Sequence, residues 1–359
     1  MMILVSYTSF SAQEPDTLIL KNADYNENTF VGNKLVSVLR GNVEFHYGEM
    51  KIFSQDARWW RDEGKIALNR DVRVEKEGQE LTCDRMNYYK DTDLLVAAGH
   101  FDYRSRKDNL RLIGRNGQYD LKQDFLTLTG DPQFFRYDTA AAETLTISGK
   151  VMTYSDSLKV ATSKDSVVIT KGKLASRCRQ ARYLTDELRA ELRGDPRIFY
   201  EIHLLTGDSV NLFFDGDTLE GISVSGNSHG LYREAETADT SVTNIWSDSL
   251  YMALTAGGEL DSVWAIGDVL STYYLSTEPD TANEVSGKQM VLAFDDEGQL
   301  GDATVWGSAR SIYHVREQEG RGGRNEASGD SIVVFFREGK ASHLTLKGDV
   351  RGVYFPRTD

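Results

Sequence analysis

Arg40-Gly41-Asn42-Val43-Glu44-Phe45, then Asn69-Arg70-Asp71-Val72-Arg73-Val74, then Ala98-Gly99-His100-Phe101, repeat one pattern. A small or polar pair with Gly, Asn or Asp is followed by apolar residues at every second position. Copies continue at Thr129-Gly130-Asp131-Pro132, Arg193-Gly194-Asp195-Pro196, Ser225-Gly226-Asn227, Ile266-Gly267-Asp268-Val269, Trp306-Gly307-Ser308-Ala309 and Lys347-Gly348-Asp349-Val350. A degenerate copy lies at Lys164-Asp165-Ser166-Val167. So many copies in one register mark a repeat architecture. The spacing is about 30 residues up to Gly226 and about 40 beyond it.

A second element follows each pair by about 15 residues: Ser54-Gln55-Asp56-Ala57, Cys83-Asp84-Arg85-Met86, Cys178-Arg179-Gln180-Ala181, then Gly207-Asp208-Ser209, Ser247-Asp248-Ser249 and Gly329-Asp330-Ser331. A third marks the longer units, at Gly216-Asp217-Thr218, Gly258-Glu259-Leu260, Gly298-Gln299-Leu300 and Gly339-Lys340-Ala341. The apolar period within a unit is two. Val43, Phe45 and Tyr47 alternate with Glu44 and His46, and Ile198, Tyr200, Ile202 and Leu204 alternate with Phe199, Glu201 and His203. Alternation of this kind gives a strand with one apolar and one wet face. Tyr183 to Arg193 has a helical look but sits inside the register, and it reads as strand. The Gly-Asn and Gly-Asp pairs supply the positive φ of tight reversals. All-β is the expected class: stacked short antiparallel strands, elongated, with apolar side chains facing one continuous interior.

Composition narrows the function. The net charge of −14 repels nucleic acid, and no basic stripe offsets it. No run reaches the 18 or so apolar residues of a membrane-spanning helix. Residues Ile3 to Phe10 followed by Ser11-Ala12-Gln13 read as the tail of a secretory signal without its charged start, which implies export. Cys83 and Cys178 share one slot of the repeat, three units apart. At about 4.8 Å per strand that is far beyond disulfide reach, so they read as small apolar side chains.

Six isolated histidines, His46, His100, His203, His229, His314 and His343, offer no metal-ligand spacing. The acids fall in turns or on wet faces, and no nucleophile elbow, P-loop or dinucleotide fingerprint is present. Neither a cofactor nor an enzyme is expected. Gly320-Arg321-Gly322-Gly323-Arg324 reads as a hairpin loop, and Trp59-Trp60 as one ring packed inside and one at the rim.

The units resemble those of the OstA family of lipopolysaccharide-transport proteins. Its G-N-V element, A-D-x-x-x-Y-type element and G-K-hydrophobic element are matched by Asp56-Ala57-Arg58-Trp59-Trp60 through Gly64-Lys65-Ile66 to Asp71-Val72, and again by Asp84-Arg85-Met86-Asn87-Tyr88-Tyr89. Gly307-Ser308-Ala309-Arg310-Ser311-Ile312-Tyr313 is similar to a segment of larger members. The resemblance implies a β-jellyroll, or β-taco, with an open apolar groove. It implies a periplasmic protein that carries lipopolysaccharide by its lipid A acyl chains towards the outer membrane. The partners implied are lipopolysaccharide and other Lpt-type jellyrolls joined end to end by strand addition, with self-association by the same route. Three segments are expected: a signal remnant over 1–20, repeats of about 30 residues over 21–205, and repeats of about 40 over 206–359. Alternation parity nominates Val43, Phe45, Val72, Val74, Phe101, Ile198, Tyr200, Val269 and Tyr273 as groove residues. The competing reading is a structural or adhesive β-solenoid with a filled core and no ligand.

Overall fold

A computed structural model describes residues 17–137, 144–216, 218–233, 241–275, 282–295, 298–317, 320–337 and 340–356. The Ile3–Phe10 run lies outside the described residues. Among those described there are strands and no helix, and the chain divides into two compact units, Met1–Gln123 and Asp124–Asp359. In the first unit the strands are β1 (Ile19–Asn22), β2 (Tyr25–Val31), β3 (Lys34–Tyr47), β4 (Met50–Trp60), β5 (Lys65–Lys76), β6 (Gln79–Tyr89), β7 (Leu94–Ser105) and β8 (Leu110–Asp120). From β3 to β8 each pairs antiparallel with the next.

The Gly-Asn pairs do not reverse the chain. They sit in the middle of strands. Gly41 and Asn42 both have positive φ, and on β3 they stand between Arg40, opposite Asp56, and Val43, opposite Ser54. Two residues therefore face one, Gln55, which is a bulge, and a bulge bends its strand. Arg70-Asp71 on β5 and Gly99-His100 on β7 repeat the corner. The reason the expected reversal fails is that positive φ at consecutive residues serves a bulge as well as a hairpin. Here the alternation resumes on the same side beyond the pair, with Leu39, Val43 and Phe45 all buried. On the partner strand the corner flips the parity instead, so Leu81, Cys83, Met86 and Tyr88 of β6 all point inward.

The second sequence element is the other half of this corner. Asp84 lies beneath Gly99, where a β-carbon would come 2.1 Å from its carboxylate oxygen, and His100 Nδ1 lies 2.9 Å from the same carboxylate. With φ at +79°, Gly99 is needed twice over, for conformation and for room. Where the first slot of this element holds Ser or Cys, its Oγ or Sγ donates to the carbonyl two residues on. Ser54 reaches Asp56 (3.0 Å), Cys83 Arg85 (3.3 Å), Cys178 Gln180 (3.2 Å) and Ser247 Ser249 (2.9 Å). Both cysteines are buried free thiols, and burial pushes Cys83 up to about 12 and Cys178 to about 11.

The second unit holds β9 (Phe125–Thr129), β10 (Gln133–Arg136), β11 (Leu145–Ser148), β12 (Val151–Ser155), β13 (Val160–Lys171), β14 (Leu174–Leu184), β15 (Arg189–Arg193), β16 (Arg197–Tyr200), β17 (His203–Thr206), β18 (Ser209–Asp215), β19 (Thr218–Arg233), β20 (Ser241–Leu254), β21 (Leu260–Leu275), β22 (Asn283–Phe294), β23 (Leu300–Glu317), β24 (Gly320–Arg337), β25 (Lys340–Lys347) and β26 (Arg351–Phe355). Tyr183 to Arg193 is the end of β14, a turn and β15. Strand length explains the change of period. β4 to β8 have 11 or 12 residues, whereas β19, β21, β23 and β24 have 16 or 18. The third sequence element marks hairpin ends, as where Gly258 N–H donates to Thr255 O between β20 and β21. Gly320 to Arg324 is not a loop but the start of β24. A β-carbon on Gly323 would stand 2.4 Å from Phe355 O, so glycine there admits β26.

Each bent strand is two arms, and the arms close on one another. Aromatic pairs bridge them within each unit: Phe45–Trp59 (5.4 Å), Tyr47–Tyr88 (5.7 Å) and Tyr103–Tyr119 (6.3 Å) in the first, Phe134–Tyr183 (5.5 Å), Tyr232–Phe294 (5.1 Å) and Tyr273–Phe336 (5.5 Å) in the second. Such pairs contribute about 0.5–1.5 kcal/mol each beyond the area they bury.

Candidate functional site

Of the nine nominated groove residues, eight are core. Val43, Phe45, Val72, Val74 and Phe101 in the first unit, and Ile198, Tyr200 and Val269 in the second, are all less than a tenth exposed. The Tyr200 hydroxyl donates to Gly258 O. Trp59 packs on Phe45 and under Arg61, and Trp60 lies under Lys65, both rings half-buried. In the first unit one inward row is built of bulky side chains. Phe45, Ile52, Val74, Leu81, Tyr103 and Leu112 are successive cross-strand partners, and all are large.

Tyr273 is different. It lines a cavity of about 520 Å³ between the arms of β20 to β26, within the range of small-molecule sites. The row equivalent in depth to Phe45–Leu112 here reads Ile245, Ser271, Val285, Ser311, Ala327, Gly352, again successive partners. Small side chains replace large ones, and the interior opens. From the opposite arm Leu292, Val334, Phe336, Leu344 and Leu346 supply an apolar wall. Parity reasoning finds these inward positions. What it passes over is the shrinkage of the side chains along the row, which was readable at Ser271, Ser311, Ala327 and Gly352.

Further from the corner, the next row along the same arm, at the lip, is polar: Thr243, Tyr273 and Asn283 on β20 to β22, then Tyr313, Asn325 and Tyr354 on β23, β24 and β26. Asn283 Oδ1 accepts the His314 N–H at 2.9 Å. No Lys or Arg lines the cavity. Arg310 and Arg351 flank Ser328 on the outer face and border an adjoining cavity of about 400 Å³; Glu284 and Glu326 line both cavities, and Glu326 is paired with Arg324. Among the described residues no group of three or more His, Cys, Asp or Glu stands ready for a metal ion.

His203, also inward, stacks on Tyr232 (4.7 Å), and its Nδ1 accepts the Arg233 N–H at 3.3 Å. Burial holds its imidazole down at about 4, with Glu201 opposing and Arg233 assisting. The folded value lies below that of a free histidine, about 6.5, so between these limits the unfolded chain binds more protons. Its contribution is complete above about pH 6.5 and fades as the pH falls towards 4. Urea midpoints should therefore drop over that interval, and His203→Phe should flatten the drop. Identical slopes for the two proteins would refute the assignment.

Residues 22–158 match a family model described as LptA/(LptD N-terminal domain) LPS transport protein. No curated protein matches the chain. Among solved structures, similarity is found to LptH of Pseudomonas aeruginosa, described as the LptA homologous periplasmic component of the lipopolysaccharide transport device. Identity is 11%, with 38% of this chain and 76% of that one covered and a TM-score of 0.22.

Proposed function

We propose that this chain, LptA/OstA-like over residues 22–158, is a periplasmic lipopolysaccharide-transport protein that holds acyl chains between the arms of β20 to β26 and passes them towards the outer membrane. The observation that carries this reading is the 520 Å³ cavity, apolar on one arm, small-residued on the other and open at a polar lip. An acyl chain gains about 0.8 kcal/mol for each methylene buried there, and no catalytic group is required. In the first unit the corresponding inward residues Phe45, Ile52, Leu81, Tyr103 and Leu112 are buried and bulky, which suits a scaffold role for that stretch. The partners proposed are lipopolysaccharide and other Lpt-type jellyrolls. Strand addition suits exposed edges such as β26, where Val353, Tyr354 and Phe355 are all solvent-facing.

The test is a photo-crosslinking amino acid placed at 311, at 45 or at 74, with native mass spectrometry for retained lipid. Position 311 should label glycolipid, and positions 45 and 74 should not. A protein that retains no lipid and labels none from position 311 would sink the proposal.

A further inference from the structure

We infer that the lip row, Tyr273, Asn283, Tyr313, Asn325 and Tyr354, selects the head of the bound lipid by uncharged hydrogen bonds, so that the site takes an acylated sugar or amide-linked head and not a phosphate as such. This deepens the proposed acyl-chain site and rests on it.

Three observations support the assignment. The row is continuous in register: Tyr273 stands opposite Asn283, Tyr313 opposite Asn325, and Asn325 opposite Tyr354. Side chains opposite one another share a sheet face, so phenols and amides alternate along one lip. They also sit at inward parity, on the side that elsewhere buries Phe45, Val74 and Tyr103. A strand built only to close a core would place apolar groups there. Instead Asn283 spends its carbonyl on the His314 N–H and keeps its amide hydrogens, while Tyr313 and Tyr354 are 36% and 51% exposed at the opening.

The second observation is what the lining lacks. No Lys or Arg lines the cavity: Arg310 and Arg351 stand in a row with Ser286 and Ser328 that borders the outer cavity, and Arg324, next to Asn325, is paired with Glu326 and lies over the Phe355 ring. An anion at the lip would meet neutral dipoles and the carboxylates of Glu284 and Glu326, which also line the cavity, on a chain of net charge −14. Charge-assisted bonds are what phosphate recognition uses, and the lip offers none. The third observation is the match of groups. Phenol hydroxyls donate and accept, and carboxamides do both at once, which suits sugar hydroxyls and acyl-amide or ester carbonyls.

The experiment uses the full chain and three twelve-carbon amphiphiles below their micelle concentrations: dodecyl maltoside, dodecyl phosphate and laurate. Binding is read by calorimetry at low and high salt. Dodecyl maltoside should bind roughly tenfold tighter than either anion, with an affinity insensitive to salt, since no ion pair is formed. The pair Asn325→Leu with Tyr354→Phe should lower the maltoside affinity about tenfold, as losing one or two neutral hydrogen bonds does. It should leave laurate unchanged. Dodecyl phosphate binding as tightly as the maltoside, or weakening as salt rises, would overturn the inference and leave the acyl site standing. So would an unaltered maltoside affinity in the double variant. Failure of all three amphiphiles to bind would instead overturn the acyl site itself, and the lip reading with it.

Discussion

Ala327→Phe should empty the protein of lipid and leave its fold intact. Ala327 lies in the middle of the small-residue row, between Ser311 and Gly352, and its methyl faces the cavity. A benzyl group there would occupy the space of about four methylenes of an acyl chain. At about 0.8 kcal/mol per methylene this removes about 3 kcal/mol, roughly a hundredfold in affinity. Overpacking a closed core costs about 1–3 kcal/mol, but this site has 520 Å³ to receive the ring, so the melting temperature should hold or rise. Gly352→Leu is the companion variant. The nearest atom to a β-carbon at Gly352 is Glu326 O at 3.9 Å, and its φ lies outside the left-handed region. Both variants are to be compared with the parent by lipid retained after purification and by calorimetry with dodecyl maltoside. Undiminished lipid in both would mean that acyl chains lie elsewhere.

The alternation of Val43, Phe45 and Tyr47, and its copies, made the strands and their inward faces legible from residue order alone. Parity is a local property, because each side chain points opposite to its neighbour whatever lies across from it. The corners were only half legible. Gly41-Asn42 announces positive φ, but whether the chain then reverses or bends depends on the partner strand, where one residue, Gln55, faces two. That is a pairing fact, absent from any single segment. The site was hidden for a related reason. Nothing in Ser271 or Gly352 alone marks a cavity; it appears when Ile245, Ser271, Val285, Ser311, Ala327 and Gly352 become neighbours across six strands. Eight nominated residues point inward and are buried; inward direction alone does not reveal how closely the opposite arm approaches.

Phe45→Ala should cost about 3–5 kcal/mol of stability and nothing in lipid binding. Phe45 is fully buried, stands opposite Ile52 on β4 and meets the Trp59 ring edge-on at 5.4 Å from the other arm. Truncation removes the transfer energy of the ring and leaves a hole that neighbours on two paired strands cannot close, the situation in which phenylalanine deletions reach that range. Because a domain of ordinary stability has about 5–15 kcal/mol in all, the first unit should melt well below the parent. Denaturant unfolding followed by tryptophan fluorescence reports on this unit once Trp246, Trp264 and Trp306 of the second unit are replaced by Phe in both parent and variant, since Trp59 and Trp60 lie on β4. The cavity residues all belong to the second unit, so calorimetry with dodecyl maltoside at a temperature where the variant stays folded should return the parental affinity. The contrary pattern is equally definite. A groove residue would be cheap to remove, because its outer side already faces ligand or water, and its loss would weaken lipid binding. A cost under about 1 kcal/mol together with reduced lipid affinity would therefore return Phe45 to the groove and move the acyl path into the first unit.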